Sequence, residues 1–180
     1  MMYVALLRGI NIGGRNKVDM KILKMSFETA GMTDVVTYIN SGNIIFTNKD
    51  PNSFKLAETL EAVILKDFEL DIKVLLRSKD EIENIIHFLP ENWKNDNDMK
   101  SDVMFLWDEI DDESILENLK IRPDIDNVMY RPGAVLWSVD KVNASKSGIS
   151  KIVGTKIYKK MTVRNVNTVR KIHSLMQEAE

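Results

Sequence analysis

Hydrophobic and polar positions along this chain change period several times, and each change marks an element. YVALLR, residues 3–8, is a short apolar run rich in β-formers and predicts a first strand. After a polar loop, Asp19 is placed to cap a helix. Its positions Ile22, Leu23, Ser26, Phe27 and Ala30 keep helical spacing, and Gly31 ends it. DVVTYIN and NIIFTN follow as two strands joined tightly at Ser41-Gly42, a hairpin signal. Asp50 and Pro51 start a second helix with Phe54, Ala57, Leu60, Ile64 and Phe68 on one face, and DIKVLLR is a fourth strand. The order β-α-β-β-α-β is the ferredoxin-like unit, here spanning residues 1–77.

A second unit is predicted over residues 78–180. It is entered through a helix with a capping box, Ser78 and Glu81, and apolar positions Ile82, Ile85, Ile86 and Leu89 ahead of Pro90. ENWKNDNDMK reads as a polar linker, DVMFLW as a strand, DDESILENLK as a short helix, and NVMYRPGAVLWSV as a hairpin turning at Pro132-Gly133. Helical sequence is expected from about Ser147 to Lys160, then a short strand at MTVR. A last amphipathic helix carries Val166, Val169, Ile172, His173 and Met176. The expected fold class is therefore mixed α/β of the α+β kind: two ferredoxin-like plaits with antiparallel sheets, plus a C-terminal helix.

The topology says something about the first loop. With right-handed crossovers, strands one and two of a plait run in the same direction with strand three between them. The loop RGINIGGRNK leaving strand one and the NSGN hairpin must then lie at one edge of the sheet. Gly13 and Gly14 permit backbone conformations closed to other residues, and consecutive exposed N–H groups beside a helix N-terminus form an anion-binding concavity. Arg8, Arg15 and Lys17 supply charge, while Asn11, Asn16, Asn40, Ser41 and Asn43 supply hydrogen-bonding groups. The edge is suited to phosphate or carboxylate. The alternative is ordinary turn chemistry with solvated cations. Neither phosphate fingerprint occurs: GINIGG lacks the G-x-G-x-x-G spacing, and SGISKIVGTKI contains no G-x-x-x-x-G-K-[ST].

Composition narrows the classes. The chain has 180 residues, 44% hydrophobic and 29% charged, enough to bury a core and too apolar for disorder. No apolar run reaches the roughly 18 residues of a membrane span, and MMYVALLRGI has no basic leader, so a cytosolic protein without membrane association is expected. There is no cysteine, which removes disulfides, thiolate zinc sites and a cysteine nucleophile, and two histidines argue against a histidine metal site. No cofactor or metal is implied. The net charge of -2 hides an asymmetry: acids dominate from Asp80 to Asp126, whereas Lys141 to Gln177 contains no acid and nine lysines and arginines.

Three stretches in order, LLRGINIGGRNKVDM, YINSGNIIF and MTVRNVNTV, resemble a widespread bacterial family known only as a domain of unknown function. Its members carry LLRGINVGGxNK, SGNxxF and TxRNWNTV. The resemblance spans essentially the whole chain and implies a pair of ferredoxin-like plaits with no assigned activity. By position it marks Arg8, Asn11, Gly13, Gly14, Asn16 and Lys17, then Ser41, Gly42 and Asn43, then Thr162, Arg164, Asn165, Asn167 and Thr168 as characteristic polar residues. This chain departs at Val166, where the pattern has tryptophan, which weakens any idea of aromatic base stacking there. A further expectation is that Arg164, Asn165 and Asn167 reach the loop edge from the other half.

Other constellations have plainer explanations. His87 and His173 lie on helices without a partner acid at useful spacing, and topology puts no histidine near Ser41 to activate it. The acids of WDEIDDE cap the next helix, the three tryptophans pack, and the ten methionines fill core. The favoured function is binding of a phosphorylated or other anionic ligand, nucleotide or nucleic acid, at the edge made by residues 8–18 and 40–43. Against RNA stand the missing aromatic signature on the strands and a pI of about 5.8. An enzyme acting on an anionic small molecule and a protein-interaction domain are the alternatives, and oligomeric state is open.

Overall fold

The computed structural model describes residues 1–179, which form two compact units: Met1–Ile82 with the residues from Ile172 onward, and Glu83–Lys171. The first unit contains β1 (Met2–Leu7), α1 (Met20–Thr29), β2 (Thr33–Tyr38), β3 (Asn43–Thr47), α2 (Ser53–Phe68) and β4 (Val74–Ser78). Its sheet has the order β2-β3-β1-β4 with every neighbouring pair antiparallel. β1 and β2 therefore run the same way with β3 between them, as the element order requires. One face of the sheet is packed by the two helices around Tyr3, Ala5, Leu7, Phe27, Phe46, Leu60 and Ile64, all buried. Phe27 and Phe46 meet edge to face with ring centroids 6.0 Å apart, a favoured aromatic geometry.

Local chemistry sets the helix starts. Asp19 caps α1, its carboxylate accepting from the N–H groups of Lys21 (2.8 Å) and Ile22 (3.2 Å). α2 starts later than Asp50-Pro51 suggests, because Asn52 is the cap and accepts from Lys55 N–H. The buried stripe is Leu56, Leu60 and Ile64, and Phe54, expected on the core face, lies about 120° around the helix from Leu60 and is 71% exposed. In α1, Ile22 likewise lies outside the stripe of Leu23, Ser26 and Phe27. α3 (Lys79–Phe88) opens with the expected capping box. The Glu81 carboxylate accepts from Ser78 N–H at 2.7 Å and the Ser78 hydroxyl accepts from Glu81 N–H at 3.3 Å.

The second unit contains β5 (Met99–Leu106), β6 (Asn127–Arg131), β7 (Ala134–Asp140) and β8 (Met161–Asn165) in the order β6-β7-β5-β8, again antiparallel throughout. Numbered within its own unit, this is the strand order of the first sheet, so both halves carry the plait arrangement. The crossovers differ. The short helix expected over residues 111–120 is a 3-10 helix, Glu113–Asn118, and the helical stretch expected from Ser147 to Lys160 is broken into 3-10 turns. Gly154 at φ 86° cannot continue a right-handed helix, and Ser147 and Gly148 are held by a carboxylate from elsewhere in the unit. α4 (Val166–Glu178) follows β8 directly. Among the described residues no helix is long and apolar enough to cross a membrane.

Candidate functional site

The first two motifs meet in the first unit. Where the chain leaves β1, Leu7 N–H donates to Gly42 O (2.9 Å) and Arg8 N–H to Lys73 O (3.1 Å), pinning the loop to both neighbouring strands. The loop then folds into a hairpin of its own. Asn11 N–H donates to Asn16 O and Arg15 N–H to Ile12 O, with Gly13 and Gly14 at φ 56° and 76° as the two central residues. Positive φ at both positions is what a type I′ turn demands, and a Gly-Gly pair supplies it at no steric cost.

Asn11 is the clasp of this edge. Its side-chain NH2 donates to Asn40 O (2.8 Å) and Val18 O (3.2 Å), and its Oδ1 accepts from Val18 N–H (2.9 Å). One amide thus joins the cationic loop, the start of α1 and the β2–β3 hairpin. Asn16 donates to Gly9 O at 2.8 Å, and the fully buried Asn43 donates to Tyr38 O and Ser41 Oγ. Three asparagines that read as ligand groups therefore satisfy backbone and hydroxyl within the loops. What they leave outward is cationic: Arg15 and Lys17 are exposed, and among the described residues neither makes a salt bridge. Arg8 is half-buried. The first acid along the chain, Asp19, is engaged in capping α1.

Gly42 fits only as glycine. Its φ is 83°, and a Cβ would stand 2.8 Å from both Leu7 Cβ and Ile10 Cδ1, which belong to buried residues. Gly42→Ala is expected to cost about 2 kcal/mol, from left-handed strain and local overpacking. A urea midpoint unchanged from the parent protein would show that the hairpin retreats freely.

The third motif lies in the second unit and has its own employment. Arg164 is 7% exposed on β8, with Nη1 donating to Thr162 Oγ1 and Val163 O at 2.9 Å; burial lowers its pKa to about 10. Asn165 caps α4, its Oδ1 accepting from N–H of the buried Thr168. Asn167 donates to Asn95 O, and Arg170 donates to Trp93 O (2.6 Å) and Pro90 O (2.9 Å). The stretch read as a polar linker is thus clamped by the first turns of α4, and Trp93 is buried in it. Val166, where the family pattern has tryptophan, is fully buried. The basic run is correspondingly less available than its composition suggests: Arg164 and Arg170 serve the backbone, and Lys160 pairs with Glu109 at 2.8 Å.

The family described as "Protein of unknown function (DUF1697)" matches residues 1–137. The chain belongs to this family. The matched span takes in the first two motifs and stops ahead of the third. Among solved structures, the chain is similar to the conserved bacterial protein SP0830 from Streptococcus pneumoniae, at 28% identity over 97% of both chains with a TM-score of 0.82. No curated protein matches. Neither the family nor the solved structure carries a stated activity.

One polar centre in the second unit escapes any reading of the sequence. Asp126, merely the end of an acidic stretch by composition, is 6% exposed and accepts from Ser147 Oγ, Gly148 N–H, Arg122 N–H and Trp137 Nε1–H. Burial pushes its pKa up, yet these hydrogen bonds outweigh it and leave the carboxyl below its ordinary value. Its partners lie at sequence separations of up to 22 residues, and nothing local announces them.

Proposed function

We propose that this protein binds a phosphorylated or other anionic ligand, a nucleotide or nucleic acid, at the edge of its first sheet. Arg8, Asn11, Gly13, Gly14, Asn16 and Lys17 of the loop and Ser41, Gly42 and Asn43 of the hairpin form the site, with the asparagines and Gly42 as its frame. Arg164, Asn165, Asn167 and Thr168 are assigned to the frame of the second unit. The carrying observation is the Asn11 clasp. It holds a glycine turn and two exposed cations on a braced edge, so their ordering cost falls on folding rather than on binding. Gly13 and Gly14 are exposed beside Arg15 and Lys17, and a glycine turn next to two cations is the chemistry that receives phosphate. A cytosolic setting goes with this reading, and the protein contains no cysteine.

The test is a titration of the full chain with ATP and with a short single-stranded RNA at several salt concentrations, alongside the Arg15→Ala/Lys17→Ala double variant. Both side chains are exposed, so folding is expected to survive. If RNA is the ligand, the slope of log K against log salt should fall in magnitude by about 1.4 in the double variant, at about 0.7 for each phosphate no longer neutralised. If ATP is the ligand, saturating nucleotide should raise the melting temperature of the parent and not of the variant. Identical binding by parent and variant, or no binding of either probe, overturns the proposal.

A further inference from the structure

Residues 149–158 cover one face of the second sheet and leave a cavity of about 100 Å³ against it. Asp102 and Met104 from β5, Trp137 from β7 and Val163 from β8 make the floor, and Ile152 and Val153 make part of the cover. Most of the wall is apolar, with Met104, Trp137 and Ile152 all nearly fully buried. The alternation of β5 explains the exception: Lys100, Asp102 and Met104 share one face, so a carboxyl is carried inward among apolar neighbours. Among the described residues no hydrogen bond reaches that carboxyl. The Lys100 ammonium sits over the Trp137 ring, 5.5 Å from its centroid, at the same cavity.

Size and charge together choose a ligand. A cavity of about 150 Å³ admits the six carbons of benzene, so this one suits a chain of about four carbons. The segment from Lys141 to Lys160 carries six lysines and no acid, which repels a cationic guest and favours an acidic one. We propose that the cavity is a binding site for a short-chain monocarboxylate, its apolar tail against Trp137, Met104 and Ile152 and its carboxyl sharing one proton with Asp102 beside Lys100.

Two carboxyls in one site cannot both stay ionised, so binding takes up a proton from solvent. Burial already raises the Asp102 pKa, against the opposing pull of Lys100 and Lys141. The titratable groups facing Asp102 are these two lysines and Tyr158 of the cover, and the residue opposite it on β8 is the uncharged Asn165.

The experiment follows the Trp137 indole N–H resonance of the full chain, assigned by its loss in Trp137→Phe, during titration with butyrate, butylamine and butanol. Butyrate should give a saturable shift that weakens roughly fivefold or more from pH 6 to pH 8, because proton uptake costs up to tenfold per pH unit. Asp102→Asn should bind butyrate with no such dependence. Val153→Trp, at a position 64% exposed and therefore compatible with folding, should block the cavity. Preference for butylamine, equal binding of butanol, binding unaffected by Val153→Trp, or no saturable shift at either pH overturns the proposal.

Discussion

Asp126→Ala should lower the stability of the second unit by about 3–5 kcal/mol, because four hydrogen bonds to a buried charged acceptor are lost at once. The carboxylate takes hydrogen bonds from Ser147 Oγ at 2.5 Å, Arg122 N–H at 2.9 Å, Trp137 Nε1–H at 3.1 Å and Gly148 N–H at 3.1 Å. Alanine would strand these donors in a site from which water is largely excluded, and each stranded donor costs about 1–3 kcal/mol, with less than additive totals as the site relaxes. The effect should reach the whole 147–152 segment, since Ser147 Oγ in turn accepts from Ile149 N–H. Asp126→Asn keeps the size but turns an NH2 toward donors, so it should recover only part of the loss. Urea unfolding measures both variants, and a loss below about 1 kcal/mol for alanine would refute the role assigned to Asp126.

The same residue predicts a direction for acid sensitivity. Its folded pKa lies below the unfolded value, so its contribution is present above the ordinary carboxylate pKa of about 3.9 and is lost as pH falls through the folded value. Below that point the parent and Asp126→Asn should converge in stability.

Gly148→Ala should be nearly as damaging, at about 3 kcal/mol or more, from steric collision alone. A Cβ built on Gly148 falls 1.5 Å from Lys120 O and 2.4 Å from Lys120 C, distances at which backbone must move. Gly148 cannot withdraw cheaply, because its N–H is given to Asp126. Gly13→Ala supplies the contrast: a Cβ there meets nothing within 4 Å, so only left-handed strain of about 1–2 kcal/mol remains. Parallel urea titrations of the two variants check the ordering, and a smaller loss at Gly148 than at Gly13 would contradict it.

How much of this is legible in the sequence differs by element. The strands, Asp19 as a cap and the Ser78–Glu81 box follow from signals contained within a few residues, and the structure has them. The start of α2 differs because Asp50-Pro51 and Asn52 offer competing starts only two residues apart, and Phe54 faces outward because it lies about 120° around the helix from Leu60. The 147–160 region departs for another reason. Its helical composition is overridden by Asp126 and by the positive φ of Gly154. At the loop edge, Asn11 and Asn43 look alike in sequence whether they await a ligand or close a hairpin. Only their partners, Asn40 O and Val18 for one, Tyr38 O and Ser41 Oγ for the other, distinguish the two uses.

The chain's pattern of apolar positions determined two antiparallel plaits and, through strand order, brought the RGINIGGRNK loop beside the SGN hairpin. Period and local caps act over a handful of residues, and burying each apolar face leaves few ways to arrange such elements. Tertiary structure alone decided which polar side chains remain outward, how the 147–160 segment lies over its sheet, and that Asp102 faces a cavity while Asp126 is saturated with donors. A polar group's role depends on which partners come within about 3 Å, and those partners stand far away along the chain.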